Sequence, residues 1–112
     1  MSQCPACGCV MAAPHSAIDL IATERRRQIQ EEGWTPEHDD RYHEGQLPRA
    51  ASCYALVAGN PHALYHYPPG HPPPEWPWAD AWWKPASPNR DLVKAGALIL
   101  AELERLQRRG EL

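Results

Sequence analysis

The sequence predicts a small, mainly α-helical domain of three helices, with a long loop rich in proline and tryptophan between the second helix and the third. Three segments carry apolar residues at helical spacing and are bounded by residues typical of helix ends. Between residues 60 and 88 prolines recur too often for a long regular helix, since each one removes a backbone donor. We therefore expect one helical domain at residues 15–112, with a loop insert at 60–88, after a cysteine-containing extension at residues 1–14.

The first predicted helix runs from Ser16 to Gly33. Ser16 and Asp19 form a start that resembles a capping box, in which the shorter acid replaces the usual glutamate. An apolar stripe with helical spacing, which we expect to face the core, is formed by Ile18, Ile21, Ala22 and Ile29. Arg25 interrupts this stripe, and a guanidinium directed inward needs either a carboxylate partner or an anionic ligand. The candidate carboxylates are Asp39, Asp40 and Asp91.

The second predicted helix runs from about Leu47 to Ala58. Pro48 falls in its first turn and Gly59 comes directly after its end, which is the usual placement of both residue types. Its expected buried face consists of Leu47, Ala50, Ala51, Tyr54 and Ala58. Small residues on this face allow another helix to approach closely.

The loop that follows holds four of the five tryptophans and most of the thirteen prolines. Tyr65 to Tyr67 can form a short pairing segment. The tryptophans argue that the second half of the loop is ordered, because leaving each in water would forgo about 1.5 to 3 kcal/mol or more. Trp76 to Pro85 can form a stacking platform for a base or a lid over the core.

The third predicted helix begins at a cap provided by Ser87 or Asn89 and ends at Gly110. One face is lined by Leu92, Gly96, Ile99, Leu103 and Leu106. Its first turn offers free amide donors near Arg90 and Lys94, which suits phosphate binding. The alternative is that Asp91 satisfies those donors itself.

The charge balance excludes some function classes. A net charge of −3 and a pI near 6.0 argue against general nucleic-acid or membrane-surface binding. The sequence contains no apolar run of about 18 residues, so we expect a soluble protein kept in the cytoplasm. The small size makes a homo-oligomer the expected assembly.

The cysteines near the N-terminus offer a candidate metal site. Cys4, Cys7 and Cys9 resemble one knuckle of a zinc ribbon, and His15 is available as a fourth ligand. No second pair of cysteines with this spacing exists, so free thiols remain the alternative. Under this hypothesis Zn²⁺ is the cofactor.

The segment from Glu24 to Asp40 carries the densest set of chemically useful groups. Glu24, Gln28 and Glu31 lie at spacings that direct them toward one spot. His38, Asp39 and Asp40 can hold a divalent cation or accept hydrogen bonds from ribose hydroxyls. They can equally cap a turn or pair with a local arginine. Trp34 is either a core residue or a pocket wall.

The sequence from residue 16 onward resembles a family of small, mostly uncharacterised proteins carried by phages and prophages. The matching segments are Ile18 to Asp40, Ala50 to Ala55, Trp76 to Trp78, Trp83 to Pro85 and Arg90 to Leu98. Gly-Trp followed by His-Asp-Asp is also similar to the Gly-Trp and Arg-Asp-Asp signature of ryanodine-receptor repeat domains, with a shorter spacing and histidine in place of arginine. The first resemblance implies a phage accessory protein in the bacterial cytoplasm, a class that includes sponges for cyclic nucleotides or ADP-ribose derivatives made by host defence.

The leading hypothesis is a non-enzymatic protein that sequesters such a nucleotide-type immune signal. Tryptophans would stack on the base, cations would meet phosphate, and carboxylates would meet hydroxyls. The expected ligand-binding residues are Arg25, Gln28, Trp34, His38, Asp39, Asp40, Trp78, Trp82, Trp83, Lys84, Arg90, Asp91 and Lys94. Residues 24–40 should form one wall of a pocket and residues 76–94 the others.

Two alternatives stay open. One is a Mg²⁺-dependent nucleotide pyrophosphohydrolase of the all-α, MazG-like kind, although the ExxE and ExxD helical pairs of that family are absent. Its candidate Mg²⁺ ligands are Glu24, Glu31, Asp39, Asp40 and Asp91. The other is an inhibitor that binds a host enzyme through the proline- and tryptophan-rich loop, since aromatic residues are enriched in binding hot spots.

Overall fold

Three long helices form the framework of the protein, as the sequence predicts. The computed structural model describes residues 16–112, in which no strand occurs. The α-helices are α1 (Ala17–Glu31), α2 (Pro36–Asp39), α3 (Gln46–Gly59), α4 (Pro61–His66) and α5 (Pro88–Arg108), with a 3₁₀-helix at Asp80–Trp82. None of the helices in this part of the chain is both long and apolar enough to cross a membrane.

The predicted caps of α1 and α5 are confirmed, whereas α3 includes Gly59, which the sequence predicts just past its end. Ser16 caps α1 by accepting a hydrogen bond from the Asp19 amide, and Ser87 caps α5 by accepting one from the Arg90 amide. After α5, Gly110 adopts a positive φ of 73°. In that conformation the Glu111 amide turns back to donate to the Leu106 carbonyl, which satisfies an otherwise free helix-end acceptor.

Helix α5 packs against α3 along much of its length and against α1 on another side. The core between α3 and α5 consists of Leu47, Ala50, Ala51, Cys53, Tyr54, Val57, Ala95, Leu98 and Ala101. Alanine is frequent at this interface, so the two helix backbones approach closely. The predicted buried face of the second helix is confirmed, except that Ala58 is only partly buried and Val57 is buried in its place.

The apolar stripe of α1 does not face the core, contrary to the sequence-based expectation. Ile18 is 79% exposed, whereas Glu24, Arg25 and Gln28 are the buried residues of this helix. Ile21 packs instead on Gly96 of α5, where an added Cβ would lie 2.8 Å from its Cδ1 atom. The inward face of α1 can carry charged and polar side chains because each of them has an ion-pair or hydrogen-bond partner within the protein.

Helix α5 also has two faces, and the predicted stripe lies on the outer one. Leu92, Ile99 and Leu103 are exposed. The inner face toward α3 carries Asp91, Ala95, Leu98, Ala101 and Arg105. Both faces repeat at helical spacing, so periodicity identifies the helix without showing which face is buried.

Two segments expected to lack helix form short ones. The sequence predicts residues 60–66 as part of the loop, with a pairing segment at 65–67, yet α4 covers Pro61–His66. The sequence also predicts a loop for the segment that carries His38 and Asp39, yet both lie in helix α2. Each helix begins with a proline at its first position after a residue whose side chain caps the helix, Asn60 or Thr35. Proline is compatible with a first turn, because the amide it lacks would have no partner there.

The second half of the long loop folds over the core as a tryptophan-rich aromatic cluster. Trp83 is fully buried and its Nε1 donates to the Tyr67 carbonyl at 2.8 Å. Trp76 is also buried, and its Nε1 donates to the Ala79 carbonyl at 3.1 Å. The Tyr54 ring of α3 lies 4.7 Å from the ring of Trp83, which anchors the loop to the helices.

Candidate binding site

A cleft lies between the end of α1, helix α2 and the tryptophan loop, and it consists of two adjoining pockets. The aromatic groove has a volume of about 320 Å³ and is lined mainly by Trp34, His38, Tyr42, Trp78 and Trp82. The polar recess has a volume of about 40 Å³, and its charged and polar lining comprises Glu24, Arg27, Gln28, Lys84 and Lys94. Glu32, Trp34 and Trp82 line both pockets. The structure thus brings residues of the 24–40 segment together with residues of the 76–94 segment.

The walls of the aromatic groove are held by ring contacts. The ring of Trp78 lies 5.6 Å from that of Trp34 and 5.2 Å from that of Tyr42. Tyr42 also meets His38, at 5.1 Å between ring centroids, and its hydroxyl lies 3.2 Å from His38 Nε2. Trp78 packs edge-on against buried Trp76. These contacts hold the rings in position, so the groove presents a fixed aromatic surface.

The backbone after α1 sets the position of Trp34. Gly33 has a φ of 73°, a conformation that residues with a Cβ rarely adopt. The turn brings the Trp34 amide within 3.0 Å of the Gln28 carbonyl, to which it donates. The Gly-Trp pair recognised in the sequence thus ends the helix and directs an aromatic ring into the cleft.

The recess is built around a buried carboxylate. Glu24 accepts hydrogen bonds from Nε and Nη2 of Arg27, each at 2.8 Å, and it pairs with Arg90. The Nε2 group of Gln28 donates to Glu24 at 3.2 Å. Burial acts to raise the pKa of Glu24, but these hydrogen bonds and the arginine charges outweigh it and hold the pKa below its usual value.

Two lysines lie where the recess meets the loop. Lys94 Nζ donates to the Lys84 carbonyl at 2.7 Å and lies 5.4 Å from the centre of the Tyr54 ring. Burial lowers the pKa of Lys94. Lys84 Nζ lies 5.6 Å from the centre of the Trp82 ring, and its side chain is exposed. Lys84 therefore presents an accessible ammonium group beside an aromatic wall.

Two residues predicted to bind ligand, Arg25 and Asp39, are paired with each other inside the protein. Arg25 and Asp39 form a buried ion pair with a distance of 2.6 Å between Nη2 and Oδ2. Burial raises the pKa of Asp39, and the charge of Arg25 acts against that effect. The pair lies behind the groove, so the inward guanidinium has a carboxylate partner, which is one of the two outcomes that the sequence allows.

The remaining predicted residues also lie outside the two pockets. Asp40 pairs with Arg108 at 2.7 Å on the surface, and Trp83 belongs to the core. Asp91 is buried and accepts a hydrogen bond from the Ala86 amide at 2.8 Å, and burial raises its pKa. Arg90 pairs with Glu24 and lines a separate pocket with Arg26. Neither Asp91 nor Arg90, at the start of α5, lines either pocket.

Sequence reasoning missed several residues of the cleft, among them Arg27, Glu32, Tyr42 and Tyr54. Arg27 follows Glu24 by about one helical turn and Glu32 by about two, so helical spacing alone predicts that both lie on the same side of the helix as Glu24. Tyr42 lies four residues after His38, but α2 was not foreseen. Tyr54 comes from α3, and its hydroxyl accepts a hydrogen bond from the Lys84 amide at 3.4 Å. No local pattern connects Tyr54 with a loop thirty residues later.

The acidic residues proposed as Mg²⁺ ligands are dispersed. Glu24, Asp39 and Asp40 each pair with arginine, Asp91 caps a turn, and Glu31 is exposed. Within residues 16–112, no three histidine, cysteine or acidic side chains are grouped so that they could hold a metal ion. Cys4, Cys7, Cys9 and His15, the zinc ligands proposed from the sequence, lie outside the described residues.

Comparisons with known proteins found no matching family model, curated protein or solved structure. The resemblances to a phage family and to ryanodine-receptor repeats therefore stay predictions. The chemistry of the cleft is the basis on which a function can be argued.

Proposed function

We propose that this protein binds a nucleotide-type ligand in the cleft and releases it chemically unchanged. The observation that carries the proposal is the connection of the aromatic groove to the lysine-bearing recess through Glu32, Trp34 and Trp82. A nucleotide combines a flat ring with an anionic group, and the cleft offers an aromatic surface beside ammonium groups.

The groove supports binding of the ring. Its volume of about 320 Å³ lies near the lower end of typical small-molecule sites, which span about 300 to 1,000 Å³. Trp82 is 50% exposed, so much of its surface is available to a ligand. Stacking of a base on an aromatic side chain contributes about 1 to 3 kcal/mol.

Lys84 is the best candidate for contact with phosphate. Arg27 is engaged by Glu24 and Glu32, and Arg25 by Asp39 and Glu104. Lys84 is exposed and lies beside Trp82, where its ammonium group can meet phosphate while the base stacks in the groove. The sequence predicts Arg25, Arg90 and Lys94 as the cations that meet phosphate, and this proposal assigns the contact to Lys84 instead.

Sequestration of an immune signal is the part of the proposal suggested by the resemblance to phage proteins. Cyclic dinucleotides and ADP-ribose derivatives are accordingly the first ligands to test. A sponge requires tight binding and no conversion, so both depletion of the ligand and its recovery have to be measured.

The test mixes purified protein with a panel of cyclic dinucleotides, ADP-ribose isomers and mononucleotides, removes the protein by filtration, and then heats it to release bound ligand. Mass spectrometry should show depletion of at least one compound and its recovery at unchanged mass. Trp82→Ala should abolish depletion. Tyr65→Ala is the matched control, because Tyr65 is an exposed aromatic residue on α4 that lines neither pocket. Absence of depletion, or release of an altered compound, would contradict the proposal.

A further inference from the structure

We infer that the ligand contains a ribose whose hydroxyl groups enter the polar recess and donate hydrogen bonds to Gln28 and Glu32. This inference rests on the proposed function and specifies the class of nucleotide, namely ribonucleotide in preference to deoxyribonucleotide. It also assigns hydroxyl recognition to two residues of α1 and its end, in place of Asp39 and Asp40.

The orientation of the Gln28 amide is fixed by its neighbour. Its Nε2 group donates to Glu24, and a carboxylate can only accept, so the amide nitrogen must face that residue. The amide oxygen, Oε1, is then left buried without a hydrogen-bond partner. Gln28 is only 2% exposed, and it lines the recess. An unpaired buried acceptor favours a ligand that brings a donor.

Glu32 supplies a second acceptor at the junction of the two pockets. It follows Gln28 by four residues, so the two side chains lie on neighbouring turns. Arg27 Nη1 donates to its Oε1 atom at 3.3 Å, and the side chain is 23% exposed. A carboxylate has lone pairs for more than one donor, so Glu32 can accept from a ligand while it remains paired with Arg27.

The size of the recess selects the group that enters it. Its volume is about 40 Å³, against about 320 Å³ for the aromatic groove. A space of roughly 10 to 15 Å³ holds one water molecule, so hydroxyl groups fit the recess, and the much larger groove is the place for the base. Two acceptors on adjacent turns match the two neighbouring hydroxyls of a ribose. In a nucleotide the sugar is joined directly to the base, as the recess is joined to the groove.

The test measures affinity by calorimetry for AMP and ADP-ribose, whose adenosines carry both neighbouring hydroxyls, each beside its 2′-deoxyadenosine form, and for IMP. The ribose forms should bind at least about tenfold more tightly, since a site built for a hydroxyl discriminates against its loss. Gln28→Met, which keeps the size of the side chain, should bring the ratio close to one by weakening the ribose form. Glu32→Ala should also reduce the ratio, and its partly exposed position makes it the second variant if Gln28→Met does not fold.

The outcomes separate the inference from the proposed function. Equal binding of ribose and deoxyribose forms would overturn the inference and leave nucleotide binding intact. If AMP binds more tightly than IMP, and the deoxy forms bind as tightly as the ribose forms, the recess recognises the amino group of the base. This result also overturns the inference. If no compound binds, the proposed function itself fails.

Discussion

Arg25 Nη2 donates to Asp39 Oδ2 at 2.6 Å in the interior of the protein, where both side chains are almost fully buried. The same guanidinium donates to Glu104 of α5 at 2.9 Å and to the Trp34 carbonyl at 3.2 Å. One side chain therefore connects α1, α2 and α5 and holds the backbone of a groove residue. This ion pair therefore supports the backbone of the aromatic groove.

Replacement of Asp39 by alanine should strongly destabilise the protein. Removing Asp39 leaves the buried Arg25 with only the partly exposed Glu104 as a charged partner, and breaking a buried ion pair costs about 3 to 5 kcal/mol. Asp40→Ala is the matched control, because Asp40 is exposed and its pair with Arg108 should contribute about 0 to 1 kcal/mol. Urea unfolding measures both. Similar losses in the two variants would contradict the structural role of the buried pair.

Two adjacent tryptophans should respond differently to replacement. Trp83 is fully buried, so Trp83→Ala should cost about 3 to 5 kcal/mol of the free energy of unfolding. Trp82 is half exposed, and Trp82→Ala should change stability much less while removing ligand binding. Thermal unfolding monitored by circular dichroism distinguishes the two variants. A large stability loss in Trp82→Ala would show that this residue belongs to the core.

The buried carboxylate Glu24 should make the protein sensitive to acid. Its folded-state pKa is lower than its ordinary value of 4.5, so its contribution to stability is present above that value. That contribution is lost as the pH falls through the lowered pKa. Asp91, whose folded-state pKa is raised, acts in the opposite direction.

The comparison with Glu24→Gln isolates this effect, because Asp91 is present in both proteins. Urea unfolding between roughly pH 6 and pH 3 should show a steeper loss of stability for the wild-type protein than for Glu24→Gln. Parallel curves would mean that Glu24 does not carry a lowered pKa.

The expected homo-oligomer stays a prediction, and the outer face of α1 and α5 is where we expect it to form. Leu92, Gly96, Ile99 and Leu103 alternate at spacings of four and three, which is typical of helices that pack on a partner helix. A groove of about 240 Å³ with an almost wholly apolar lining lies along this face. Leu103→Glu should therefore lower the sedimentation coefficient to that of a monomer. Leu56→Glu, at an exposed leucine of α3, should not. A monomeric wild-type protein would contradict the prediction.

The helices were predictable because their signals are local. Ser16 and Ser87 cap the chain segments that they precede, and Gly110 ends the last helix. Which face of a helix is buried depends on neighbours that spacing alone does not reveal. Ile18 is therefore exposed while Glu24 is buried, contrary to their hydrophobicity.

The site was predictable in its segments and less so in its residues. Adjacent residues Trp82 and Trp83 have the same side chain, yet one lines the cleft and the other fills the core. Their roles are set by the 3₁₀-helix that ends between them and by contacts with Tyr54. Those contacts join parts of the chain that are distant in sequence, so no local pattern encodes them.

Nitrogen-15 NMR of the five tryptophan indole groups, recorded during titration with the nucleotide panel, tests the central claim most directly. The account predicts that a binding nucleotide shifts the indole signals of Trp34, Trp78 and Trp82, which line the groove. The signals of buried Trp76 and Trp83, whose indoles donate to backbone carbonyls, should move little. If no nucleotide shifts the three groove signals, the cleft is not the nucleotide site. The same conclusion follows if the signals of Trp76 and Trp83 shift as much as the groove signals.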